Sequence, residues 1–85
     1  MASPAANAGQ IEIREVVRDG ELVAVLMAID NGETFTVVSE VFPSSPEGPD
    51  VSRRPYAFAN AEAGMAFFSE ALTAFQYLGC HVRRP

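Results

Sequence analysis

The chain has 85 residues, of which 48% are hydrophobic and 20% charged, and its formal net charge is −5. A chain of this length forms one domain with a thin core, and its apolar content is too high for intrinsic disorder. The negative balance argues against a protein that binds nucleic acid mainly by neutralising phosphates. A single cysteine excludes an internal disulfide and favours a reducing compartment, so we expect a cytoplasmic protein.

The first residues predict neither a secretion signal nor a membrane anchor. Residues 1–9 lack a cationic start and a long apolar run, and later residues contain no stretch of the ~20 apolar residues that a membrane span needs. Small residues with Pro4 and Gly9 predict a disordered N-terminal tail over 1–9. Residues 10–85 are then expected to form a single α+β domain.

Two dipeptides, Asp19-Gly20 and Asn31-Gly32, lie between stretches rich in Val, Ile and Leu. Both favour the positive φ angles of two-residue type I′ turns, so they predict a three-stranded antiparallel meander. Such turns would pair Val16 with Val23 in the first hairpin and Ala28 with Phe35 in the second.

Alternation along these strands predicts two faces. One is a core face of nine apolar residues, namely Ile11, Ile13, Val17, Leu22, Leu26, Ala28, Phe35, Val37 and Val41. Glu15 would share that face, and we interpret it as an edge carboxylate that bends out to water rather than as a buried functional acid. The opposite face, apolar in the middle and polar at its sides, is the candidate interaction surface, with Val16, Val23, Val25, Met27, Ile29, Val38, Arg14 and Arg18.

The second half of the chain predicts one helix. Asn60 is a favourable N-cap and Gly79 a favourable C′ residue, so we expect a five-turn helix between them. Its apolar stripe would cover the core face of the sheet; the stripe comprises Ala61, Gly64, Met65, Phe67, Phe68, Ala71, Leu72, Phe75 and Leu78.

Short segments on both sides of the helix are less strongly patterned. Tyr56–Ala59 and Cys80–Arg83 are candidates for a fourth and a fifth strand. Residues 43–55 contain four prolines and Gly48, which predict a mobile loop without secondary structure. We interpret this loop as a spacer, although a P-x-x-P spacing between Pro46 and Pro49 leaves groove binding open.

The residues that carry catalytic chemistry are few. His81 is the single histidine and Cys80 the single cysteine, so we expect no catalytic site, no metal site of the usual His and Cys type, and no cofactor. Their adjacent positions on a strand would point the two side chains to opposite faces, away from each other. No glycine-rich nucleotide loop or nucleophile elbow is present, so the sequence predicts a protein that is not an enzyme.

Three functions remain open. The first is a non-enzymatic interaction module that self-associates as a homodimer, or binds another protein, through the second sheet face. The second is single-stranded nucleic-acid binding, with the sheet and the arginine pairs as the contact surface and Tyr56, Phe58 and Tyr77 as stacking candidates. The third is a carrier of a small apolar ligand, held between the face around Met27 and the Pro-rich loop.

Overall fold

The fold is known from a computed structural model, which describes residues 9–42 and 51–85. Within these residues, five strands form one antiparallel sheet in the order β4-β3-β2-β1-β5, and a single helix packs on one side of it. The elements in chain order are β1 (Gln10–Arg18), β2 (Glu21–Asp30), β3 (Phe35–Val41), β4 (Ser52–Phe58), α1 (Ala61–Tyr77) and β5 (His81–Arg83). The α+β class, the meander and both additional strands are therefore confirmed.

The first hairpin has the predicted turn but not the predicted register. Asp19 and Gly20 have φ angles of 52° and 81°, as a type I′ turn requires, and Arg18 pairs with Glu21. A bulge then lets Val16 pair with Ala24 instead of Val23. An extra residue in one strand shifts every later pair by one, and a shift of one exchanges the two faces. Residues 12–18 of β1 therefore face opposite to the prediction.

The second hairpin has a longer loop than predicted. Asp30 pairs with Phe35, so Asn31–Thr34 forms a four-residue loop, and Ala28 pairs with Val37 rather than with Phe35. Side-chain hydrogen bonds hold this loop, because Asn31 Nδ2 donates to Thr36 Oγ1 at 2.7 Å. The resulting shift is two residues, an even number, so each residue keeps its predicted face.

The core lies between the sheet and α1. Its buried members are Val16, Ala24, Leu26, Ala28, Phe35, Val37 and Phe68. Four of the predicted core-face residues are among them. Ile13, Val17 and Leu22 are corrections, because the bulge places them on the other face. Ile11 is also a correction: it is the extra residue of a second bulge, between Gln10 and Glu12, and is 51% exposed. Val41 keeps its predicted face but lies 43% exposed at the end of β3.

The helix begins and ends as its capping residues predict. Asn60 Oδ1 accepts a hydrogen bond from the backbone N–H of Ala63 at 2.9 Å, and Gly79 has a φ of 89° beyond the C-cap. Phe68 and Gly64 are buried against the sheet, whereas the outer members of the predicted stripe, Ala61 and Leu78, are exposed. The helix thus runs across the sheet from β4 on one edge to β5 on the other.

The boundary of β4 corrects the predicted loop. This strand begins at Ser52 and includes Pro55, so 52–55 belongs to the sheet rather than to a connection. Proline is tolerated there because β4 is an edge strand with one unpaired side. The rest of the predicted loop is Val51, which is described, and residues 43–50, which lie outside the described residues. Residues 1–8 of the predicted tail also lie outside them.

Within the parts of the chain that the structure describes, no helix is long and apolar enough to cross a membrane.

Candidate interaction surface

The sheet face opposite α1 is the candidate interaction surface, and we call it the open face. Among residues 9–42 and 51–85, all regular structure belongs to the sheet or to α1 on its other side, so no described helix or strand packs here. The register assigns to the open face Gln10, Ile13, Glu15 and Val17 of β1, Leu22, Val25, Met27 and Ile29 of β2, Thr36, Val38 and Glu40 of β3, Arg53, Pro55 and Ala57 of β4, and His81 and Arg83 of β5.

An apolar row crosses four strands of the open face. Ile13 pairs with Met27, Met27 with Val38, and Val38 with Pro55. Val38 is 3% exposed, whereas Ile13 and Met27 are half-buried. Neither Val38 nor the buried Val17 belongs to the core cluster under the helix, so the sheet has apolar side chains on both sides. A sheet with one solvated face would alternate apolar and polar residues instead.

A charged row lies beside the apolar row and is arranged almost symmetrically about Val25. Glu15 and Glu40 are its direct cross-strand neighbours, on β1 and β3. Each carboxylate is paired with an arginine of the adjacent outer strand: Glu15 Oε1 accepts from Arg83 Nε at 2.8 Å, and Glu40 Oε2 accepts from Arg53 Nη1 at 2.7 Å. The order of charges across the sheet is therefore plus, minus, neutral, minus, plus.

Half of the predicted interaction residues lie on the open face. Val25, Met27, Ile29 and Val38 are there, as the strand alternation predicts.

Four other predicted members lie elsewhere. Val16 is fully buried under the helix, Val23 packs against the same core, and Arg14 pairs with Leu26 on the helix side, where it forms an ion pair with Glu12. Arg18 lies at the exposed end of β1 beside the turn. The bulge is the physical reason why Val16, Val23 and Arg14 lie on the helix side.

Sequence reasoning also missed members of this surface. Ile13 and Val17 were predicted to lie in the core and Glu15 on the core face, and the same bulge moves all three to the open face. Arg53 was placed in a loop, although its spacing of two from Pro55 fits one face of a strand. No local sequence signal marks the bulge, because it depends on which residues pair.

The arginines and aromatic rings do not converge on the open face. Arg53 and Arg83 are there, each bound to a glutamate, whereas Arg14 lies on the opposite side. Tyr56 and Phe58 contact Phe67 of the helix, with ring centroids 4.9 and 5.3 Å apart. Stacking of bases on a sheet needs exposed rings beside free cations, and this arrangement does not bring the two together.

Cys80 and His81 occupy separate environments. Cys80 packs against the core, whereas His81 is exposed on β5 opposite Val17. Over residues 9–42 and 51–85, no three His, Cys, Asp or Glu side chains are grouped as a metal site would require.

A groove of about 370 Å³ runs along the free edge of β1, where β5 ends after Arg83. It is lined by Gln10, Ile11, Glu12, Ile13, Arg14, Arg84 and Pro85. Strand β5 pairs with β1 at Glu15–Val17 alone, so the edge from Gln10 to Arg14 is not covered by β5. This groove is a concave surface at the sheet edge, and it shares Ile13 with the open face.

Comparisons with protein-family models, with curated proteins and with solved structures found no match to this chain.

Proposed function

We propose that this protein is a non-enzymatic interaction module whose interface with another protein chain is the open face. The observation that carries the proposal is the apolar row Ile13, Met27, Val38 and Pro55 on the side of the sheet away from the helix. In this row Ile13 and Met27 are half-buried and Pro55 is exposed, while Val38 is buried. Apolar surface that a monomer leaves in contact with water marks interaction sites when it is contiguous. A chain of 85 residues with a thin core gains stability when a partner covers such a surface.

The charges of the open face support a protein partner over a polyanion. Both arginines of this face are neutralised by glutamates of the same sheet. Phosphate binding requires cations that are free to replace counterions, whereas an apolar interface tolerates charges that are already paired at its rim. Nucleic-acid binding and apolar-ligand binding remain the alternative proposals, and no contact on this face favours either.

Site-specific photo-crosslinking tests this proposal in cells that express the whole chain. A photoreactive residue at Met27, in the middle of the open face, should form a covalent adduct with another protein chain. The matched control carries the same residue at Thr73, which is exposed on the helix, and should form no adduct. Gel mobility and mass spectrometry give the mass and identity of the adduct. Adducts from Thr73 with none from Met27 would contradict the proposal.

A further inference from the structure

We infer that the occupant of the open face is a second copy of this chain, and that two copies pack face to face about a two-fold axis lying between β2 and β3. This inference rests on the proposed function, because it names the partner of the same surface. Its support comes from the area of the face, from the pattern of its charges and from the way its apolar row matches itself.

The area of the open face is close to what a specific dimer needs. Neighbouring strands are about 4.8 Å apart and residues rise about 3.3 Å along a strand, so four strands of about seven residues give a face of roughly 19 by 23 Å. Two such faces bury roughly 900 Å² in total, slightly below the ~1,000 Å² expected of a specific protein interface. Packed sheets lie about 10 Å apart with their side chains interdigitated, a spacing that fits the row of Ile, Met, Val and Pro.

The charge row excludes a centred arrangement. If the two-fold axis ran along β2, parallel to the strands, Glu15 of one copy would lie over Glu40 of the other, and Arg83 over Arg53. Like charges facing each other across an interface cost binding free energy. A dimer centred on Val25 is therefore disfavoured by the same residues that flank it.

If the axis is displaced by half a strand spacing toward β3, opposite charges face each other across the interface instead of like charges. Strand β1 of each copy then lies over β4 of the other, so Glu15 faces Arg53 of the second copy at two symmetric places. In the next row Met27 lies over Val38 of the second copy and Ile13 over Pro55, again twice. This arrangement matches Glu15 with Arg53 and the apolar row with itself, while Val25 lies over Glu40 of the second copy. Strand β5, with three residues, is left outside it.

Replacement of Met27 by arginine tests the dimer. Position 27 lies between Ile13 and Val38 on a half-buried part of the open face, so the long side chain can reach water in the single chain but is trapped in the apolar row of the dimer. The purified chain should have the molar mass of two copies by light scattering, and Met27→Arg should raise the dimer dissociation constant by at least ~100-fold. The matched control Tyr77→Arg, at a residue 88% exposed on the helix, should leave the dimer intact.

A charge exchange between copies tests the displaced axis. Glu15→Arg alone places two arginines against each other across the interface, and Arg53→Glu alone places two glutamates together, so each variant should weaken its own dimer. In a mixture of the two, the introduced arginine faces the introduced glutamate, and the native Glu15 of one chain faces the native Arg53 of the other. The mixture should therefore recover a dimer with one chain of each kind.

Circular dichroism measures whether each of these variants is folded, and light scattering gives the mass of the mixture. A mixture of folded variants that stays monomeric would overturn the displaced arrangement.

The remaining outcomes separate this inference from the proposed function. A purified chain that is monomeric at every concentration, together with a Met27 adduct to a different protein, would overturn the dimer and leave the open face as the interface. A dimer that persists in Met27→Arg and dissociates in Tyr77→Arg would overturn both, and would place the contact on the helix. A dimer that resists both substitutions would also overturn the inference and would point to the free edge of β1.

Discussion

At the residue scale, one contact sets how closely the helix approaches the sheet. Gly64 is buried in α1 directly over Phe35, itself 1% exposed. A Cβ atom at position 64 would overlap the Phe35 ring, coming within 2.7 Å of Cε1. Glycine is unfavourable inside a helix by about 1 kcal/mol, so its place here reflects the space that Phe35 occupies. The large ring on β3 and the absent side chain on α1 form one packing unit.

Gly64→Ala should therefore destabilise the protein although alanine is the better helix former. Overpacking of a filled core costs about 1–3 kcal/mol, against a propensity gain of about 1 kcal/mol, so we expect a net loss of up to roughly 2 kcal/mol. Urea denaturation measures it. The control is the reverse exchange at an exposed position of the same helix, Ala66→Gly, which should destabilise through propensity alone. An increase in the free energy of unfolding for Gly64→Ala would contradict this expectation, because it would show that the Phe35 ring can move to accommodate the added methyl group.

At the scale of elements, the two sheet edges differ, because β5 leaves the edge of β1 from Gln10 to Arg14 uncovered whereas β4 carries a proline. Strand β5 is three residues long, and β4 carries Pro55 in its middle, between Arg54 and Tyr56. Proline has no N–H, so it removes a donor from the edge at which another strand would add. This device matters in a chain whose sheet is apolar on both faces, because strands of that kind associate readily when an edge is free.

Pro55→Thr should consequently increase aggregation. Threonine restores the N–H and favours extended backbone, so the outer edge of β4 becomes a better template for strand addition. The measurement is the rate of thioflavin fluorescence increase under mild heating. Ala57→Thr is the matched control on the same strand, since it raises β-propensity without changing the number of backbone N–H donors. Equal rates in the two variants would show that Pro55 does not protect the edge.

At the scale of the whole molecule, stability is distributed unequally over the sheet. Strand β2 is paired along its length by β1 and β3, and it contributes three of the seven buried core residues. Strand β5 pairs with β1 at three positions, and the ion pair between Arg83 and Glu15 is exposed enough to contribute only about 0–1 kcal/mol. The meander is therefore the stable centre, and β5 is the strand that opens most easily.

Amide hydrogen exchange should reproduce this order. The backbone amides of Ala24–Ala28 should exchange most slowly, through global unfolding, whereas those of His81–Arg83 should exchange faster through local opening. The exchange should be followed on Met27→Arg as well as on the parent chain, so that protection by a partner is separated from protection by the fold. Equal protection of β5 and β2 in both proteins would contradict the expected order.

The elements follow from local physical chemistry, which explains why they could be predicted. Asp19-Gly20 forms its turn because both residues accept a positive φ, and Asn60 begins the helix because its side chain caps a free N–H. Four of the core residues on β2 and β3, Leu26, Ala28, Phe35 and Val37, were predictable because a loop change of two residues keeps strand parity. These features depend on residues that are close together in the sequence.

The sequence by itself thus determined the class of fold, the turn and cap positions, and four members of the candidate surface, Val25, Met27, Ile29 and Val38. Tertiary structure alone decided the bulge between β1 and β2, which moves Ile13, Glu15 and Val17 to the open face and Val16 to the core. It also decided the charge row, because Arg83 and Glu15 are 68 residues apart in the chain and meet only when β5 joins the edge of β1. The physical reason is common to both: register and strand order depend on the packing of the complete sheet against its helix, and no local stretch of sequence encodes them.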